Sequence, residues 1–199
     1  MRGTIALVQH DLTLTGSGVR LVPVSAEHAA GLVAFVDDAL WQGMTSPTPR
    51  DEADMLAFVD AARAMPGRYA FAVLDGAGRV VGSSSYYDVD LRMGRLEIGH
   101  TFYDRAVWGT TVNPACKLAL MEHAFDEWGV HRVAFRIDTR NARSVAAVTR
   151  LGAIREGVLR GHRLAADGSR GDSVYFSVLA DEWPAARARL RERLGLVPG

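Results

Sequence analysis

Two short stretches of this sequence combine small, hydroxyl and amide residues where a helix would begin. In "WGTTVNPACKLALMEHAF", Trp108 to Phe125, Asn113 is a favoured N-cap, and Pro114 suits the first helical position because its missing NH costs nothing there. Just upstream, Gly109, Thr110, Thr111 and Val112 offer consecutive backbone NH groups beside the positive end of a helix dipole, an arrangement that suits phosphate oxygens. The same residues also describe a well-capped core helix, since every helix leaves such groups unpaired at its start. In "RNARS", Asn141 and Ser144 stand three apart with Arg140 and Arg143 interleaved, so an amide and a hydroxyl share one turn. A capping role explains Asn141 equally well.

The elements that must carry these residues follow from periodicity. After an irregular lead-in over 1–18, "VRLVPV" alternates as a first strand, and Ser25 caps a helix carrying Leu32, Val33, Phe35, Val36 and Leu40. A second helix holds Met55, Leu56, Val59 and Ala62, with "WQGMTSPTP" as the loop between. From Tyr69 the pattern becomes strand, Asp-Gly turn, strand, then a third strand in "MGRLEIGHTFY", an antiparallel meander. A helix from about Pro114 to Trp128 follows, with Leu118, Met121, Phe125 and Trp128 on one stripe and Lys117 off it. "HRVAFRID" alternates as a strand, "NARSVAAVTRLGA" is a short helix stopped by Gly152, and a hairpin turning at Asp167-Gly168 leads to a closing helix over 181–194. The arginines of that last helix read as a solvated face. The order predicts an α+β fold, a mixed and mostly antiparallel sheet with helices on both faces, as one domain over 1–199.

Composition narrows the partners. The chain has 199 residues, 48% hydrophobic and 23% charged, with formal net charge zero, so nothing in it attracts nucleic acid or an anionic membrane. No apolar run is long enough to span a bilayer, and a cytoplasmic location is expected. The one cysteine, Cys116, excludes an intrachain disulfide and reads as a packing residue. The six histidines lack paired ligand spacing, so no metal site is expected.

The two helix starts, in this element order, resemble the GNAT acyltransferase superfamily, and most closely its ribosomal-protein N-terminal acetyltransferase (RimJ/RimL-like) branch. The likeness runs from "VRLVPV" through "EIGHTFYDRAVWGTTVNPACKLALMEHAFDEWGVHRVAFRIDTRNARSVAAVTRLGAIREGVLR" to "DGSRGDSVYFSVLADEWP". The superfamily's usual loop, Gln or Arg, two residues, Gly, one residue, then Gly or Ala, falls on Trp108, Thr111 and Asn113, none of which matches. A subgroup with Thr-x-x-Asn and a Lys four residues later is matched by Thr110, Asn113 and Lys117. The resemblance implies acetyl-CoA as cofactor, with NH groups from Gly109 to Asn113 on its pyrophosphate and Thr110 adding a hydroxyl. It further implies Asn141 on the pantetheine arm and Ser144 near the sulfur as general acid.

Amine acetylation needs an uncharged amine, a polarised thioester and a stabilised leaving thiolate. A hairpin glutamate that some enzymes of the branch use is replaced here by Arg163, with His162 beside it, so Glu97 is the first candidate for base or amine ligand. His100 and His162 follow as substrate-side residues. On a regular strand Glu97 and His100, three apart, face opposite sides. Trp41, with Asp37 and Asp38, is placed by the resemblance in a loop over the acceptor site, where an aromatic wall and carboxylates suit a cationic amine. The expected activity is direct transfer of acetyl to a primary amine, either a protein or peptide N-terminus or a small aminoacyl-type or amine metabolite. The alternatives are a protein that binds CoA for sensing or assembly, or an enzyme using a longer acyl-CoA. The oligomeric state is open, a homodimer included.

Overall fold

The computed structural model describes residues 10–164 and 168–196. Eight strands, β1 (Leu14–Gly16), β2 (Val19–Pro23), β3 (Tyr69–Asp75), β4 (Val80–Asp90), β5 (Arg95–Tyr103), β6 (Arg132–Asp138), β7 (Ile154–Leu164) and β8 (Arg170–Leu179), form one sheet in the order β1-β2-β3-β4-β5-β6-β8-β7. Every neighbouring pair is antiparallel except β5 and β6. The helices are α1 (Ala29–Val33), α2 (Asp38–Trp41), α3 (Glu52–Ala64), α4 (Val112–Glu122), α5 (Ala142–Leu151) and α6 (Trp183–Arg193).

Alternation along β3 shows how the two layers form. Phe71 and Val73 join the core with Leu120 and Met121 of α4 and Leu190 of α6. Ala70 and Ala72 face the other way, onto Leu32 of α1 and Met55 and Val59 of α3. The mixed sheet with helices on both faces is therefore present as expected.

Several local expectations need correction. Residues 14–16 of the lead-in are a strand, turned back onto β2 by Ser17 and Gly18, both at positive φ (48° and 80°). Residues 1–9 of that lead-in, and Asp167 of the expected Asp167-Gly168 turn, lie outside the described residues. The first long helix is broken into a 3₁₀ turn (Ala26–His28), α1 and α2, because Asp37 is extended (φ −143°) and starts α2 afresh by accepting from the Leu40 NH at 2.8 Å. The closing helix is not simply solvated: Trp183, Ala186 and Leu190 are buried, Arg187 pairs with Glu122 and Asp126, and Arg191 lies 3.9 Å from Glu122.

Two irregularities position the site. Parallel pairing of β5 with β6 covers only Arg95↔Arg132, Leu96↔Val133 and Glu97↔Ala134, after which the strands splay apart. On the other edge of β5, Ser85 opposes Gly99 while Ser83 opposes Phe102, so β5 carries one extra residue, and His100 has φ 48°.

Candidate active-site cleft

The splay opens a cleft of about 250 Å³. Its walls come from β5 (Ile98 to Tyr103), β6 (Phe135 to Asp138), the start of α4 and the first turns of α5.

At the α4 end, the helix begins at Val112, with Thr111 as the flanking residue and the Ala115 NH bonded to its carbonyl at 2.9 Å. Asn113 therefore sits in the first turn rather than at the cap, and Pro114 is the third helical residue, still within the turn where its missing NH is harmless. Gly109, at φ 76°, makes the turn into this segment. Two of the five NH groups are used inside the loop: Thr110 donates to the Val107 carbonyl at 3.4 Å, and Val112 donates to the Thr110 hydroxyl at 3.3 Å. The Thr110 hydroxyl itself donates to the Val107 carbonyl at 2.7 Å, so it braces the loop instead of adding a ligand for phosphate. This leaves the NH groups of Gly109, Thr111 and Asn113, with the helix dipole, available to an anion at this end. Trp108, whose indole NH bonds the Tyr103 carbonyl at 2.9 Å, lies flat against the Arg143 guanidinium at 3.4 Å and ties the loop to α5 across the mouth.

At the start of α5, Asn141 and Ser144 are brought together as their spacing suggests. The Asn141 side-chain oxygen accepts from the Ser144 NH at 3.0 Å, which caps the helix, and both residues line the cleft. Asn141→Ala is expected to cost about 1 kcal/mol of stability, read from urea denaturation, the usual loss on removing an N-cap.

The opposite side of β5 holds the other candidates. Leu96, Ile98 and Tyr103 belong to the core under α4, whereas Phe102 belongs to the core under α1 and α3. The extra residue at Gly99 and His100 therefore resets the alternation, and His100 falls on the same face as Glu97, which corrects the regular-strand expectation. Tyr87 lies between them, its ring 5.3 Å from that of His100. Arg136 of β6 closes the group: its guanidinium stands 5.2 Å from the Tyr87 ring, and its Nε is 3.6 Å from the Glu97 carboxylate. Burial, with the Arg68 and Arg136 charges adding to it, pushes His100 down to about 3, so its imidazole is neutral at physiological pH. His100 and Arg136 line the cleft, while Glu97 stands behind them.

Two substrate-side expectations move. Trp41 is 2% exposed, donates to the Ser46 carbonyl at 3.0 Å and packs edge-on against Phe58 and Phe102, so it is a core residue, because α2 turns its apolar side inward. Asp37 is held by a bidentate pair with Arg105 (2.6 and 2.7 Å) and Asp38 by Arg50 at 2.9 Å, and the loop instead presents Gly43 and Met44 to the cleft. His162 is exposed, 3.2 Å from the Ser173 hydroxyl and edge-on to Tyr175, outside the cleft lining. Its neighbour Arg163 enters instead, bonded to the Gly43 carbonyl at 2.8 Å and 3.4 Å from the buried Asp138 carboxylate.

A sheet whose two halves part between neighbouring parallel strands, with a helix N-terminus and a second capped helix facing the gap, defines the acyl-CoA N-acyltransferase type of fold. The chain belongs to the GNAT acetyltransferase family, whose domain, described as "Acetyltransferase (GNAT) domain", matches residues 19–154. A Bacillus subtilis (strain 168) protein named "Putative ribosomal N-acetyltransferase YdaF" is 31% identical over 106 residues, 53% of this chain and 57% of that protein's own length. Among solved structures, a "putative acetyltransferase" from T. thermophilus is 36% identical with a TM-score of 0.86, covering 92% of this chain and 96% of that one. Mycobacterium smegmatis RimJ in complex with CoA-disulfide shares the fold at 22% identity, with a TM-score of 0.78 over 92% of this chain and 94% of that one.

Proposed function

We propose that this chain is an acetyl-CoA-dependent N-acetyltransferase of the RimJ/RimL-like branch, acting on a primary amine. The acceptor is a protein or peptide N-terminus or a small aminoacyl-type amine. The observation that carries this reading is the wedge between β5 and β6, which has NH groups and a helix dipole at one end and the Glu97, His100 and Arg136 group at the other. The likeness to YdaF and to a CoA-bound RimJ supports it.

The residues present fit acetyl-CoA. Exposed Gly109 and Thr111, with Asn113, supply NH groups for the pyrophosphate, and no acidic side chain among the described residues lines the cleft at that end. Bound acetyl-CoA supplies the acetyl group as an activated thioester. Asn141 orients the pantetheine arm, its own geometry fixed by the bond to Ser144, and the Ser144 hydroxyl offers a proton near the sulfur. Glu97, 3.6 Å from the Arg136 guanidinium, takes the proton of the incoming amine through water or holds its ammonium form. An α-amino group, with an ordinary pKa near 8, already supplies a useful neutral fraction at pH 7.

Incubating the purified protein with acetyl-CoA and a panel of peptides and amines tests the reading, with acetylated products read by mass spectrometry. Absence of any product above background, with CoA still bound in calorimetry, would favour the sensor alternative instead. Thr111→Glu places a carboxylate at the proposed pyrophosphate end and is expected to weaken CoA binding by about fivefold or more, with thermal stability nearly unchanged at this exposed site. Unaltered affinity would put the pyrophosphate elsewhere.

A further inference from the structure

A buried charged group lines the cleft without an ion-pair partner among the described residues. Lys117, on the second turn of α4, is only 7% exposed yet lines the cleft. Its Nζ stands 5.4 Å from the centre of the Phe135 ring, and among the described residues no carboxylate forms an ion pair with it. A buried ammonium without a counter-ion is costly, and an apolar residue of the same length would fill this space at less expense. Burial pulls Lys117 down to about 8, with the neighbouring Cys116 opposing, which registers that cost.

Its position separates it from the phosphate end. Lys117 lies about 8 Å along α4 from the first helical residue, at about 1.5 Å per residue. Phe135, beneath it, directly follows Ala134, the last residue of β6 paired to β5. The ammonium therefore stands against Phe135, just beyond the paired part of the wedge.

We propose that Lys117 is the group that receives the negative charge of the CoA sulfur, favouring the thiolate over the thiol. This rests on the acyl-CoA reading of the cleft. In the transfer, the amine nitrogen bonds to the acyl carbon as the carbon–sulfur bond breaks, and the electron pair of that bond goes to sulfur. The amine's proton leaves on the Glu97 side. Lys117 acts in its ammonium form, which a negative charge on sulfur favours, and the proton that later neutralises sulfur arrives through Ser144, which is replenished from solvent.

The test compares CoA with desulfo-CoA, in which hydrogen replaces the thiol, by calorimetry on the wild type and on Lys117→Met. Near pH 8 the wild type is expected to prefer CoA by about threefold, as follows from lowering the bound thiol pKa by about one unit from an ordinary value near 8.5. In Lys117→Met that preference disappears while desulfo-CoA affinity is unchanged. Ultraviolet titration of the bound thiolate gives the same comparison without a variant, and decides the matter if Lys117→Met or Lys117→Gln does not fold. Equal wild-type affinity for the two ligands overturns the proposal, as does an equal loss for both in the variant, which would assign Lys117 to the phosphates. A sulfur preference without acetylation of any amine would refute the enzymatic reading while leaving this one standing.

Discussion

Asp138→Ala is expected to destabilise the fold by about 3–5 kcal/mol, the usual cost of removing one partner from a buried ion pair. The Asp138 side chain is 3% exposed and the Arg163 side chain facing it 10%. Arg140 adds its NH at 2.9 Å and its guanidinium at 2.7 Å. Removing the carboxylate leaves the Arg163 charge buried, with the Gly43 carbonyl as its acceptor. Arg163→Ala should cost less, because Asp138 keeps Arg140. Burial alone would raise the Asp138 pKa, but the Arg140 hydrogen bonds and the Arg163 and Arg140 charges outweigh it and hold it below the ordinary carboxylate value of 3.8. A carboxyl lowered on folding stabilises fully above its unfolded pKa, and the contribution is lost as pH falls through the folded value. The wild type should therefore lose more stability than Asp138→Ala as pH falls below about 4, which urea denaturation at several pH values can measure. Identical pH profiles would remove Asp138 from this role.

Glu97→Gln is expected to lower kcat/KM for the amine by about a hundredfold or more, within the range for losing a general base, with CoA affinity unchanged. Gln is nearly isosteric, so Tyr87 and Arg136 keep their places and the loss reports charge. The rate should still rise with pH as the amine deprotonates. His100 cannot produce that limb, because its value of about 3 keeps it neutral throughout. Steady-state assays on the acceptor identified by mass spectrometry check this, and full retention of kcat/KM in Glu97→Gln would move the role to His100.

The layers were legible in the sequence because alternation and helical period report burial directly, as in Phe71 and Val73 against Ala70 and Ala72. The α5 junction was legible too, since an Asn-x-x-Ser spacing specifies its own cap. What escaped depends on distant partners. No local pattern marks the extra residue at His100, which appears only when β5 is laid against β4, and it moved His100 onto the Glu97 face. Trp41 has the composition of a binding wall, but the turn set by Asp37 rotates it into the core. Arg136 did carry a signal, a cation set between Phe135 and Ile137 within β6, which requires partners on neighbouring strands. Lys117 lay off the expected apolar stripe yet is buried, because the cleft gives α4 a second covered side.

The three paired positions between β5 and β6 have a mechanical consequence. Together with the Gly94 carbonyl, which accepts from the His131 and Arg132 NH groups, they form the backbone seam joining a five-stranded half-sheet to a three-stranded one. A ligand wedged beyond that seam touches both halves and acts as a removable fourth rung, so its binding free energy is shared directly with the cohesion of the fold. Amide exchange along the seam at Leu96 and Val133 thus becomes a gauge of occupancy, slowing when the wedge is filled.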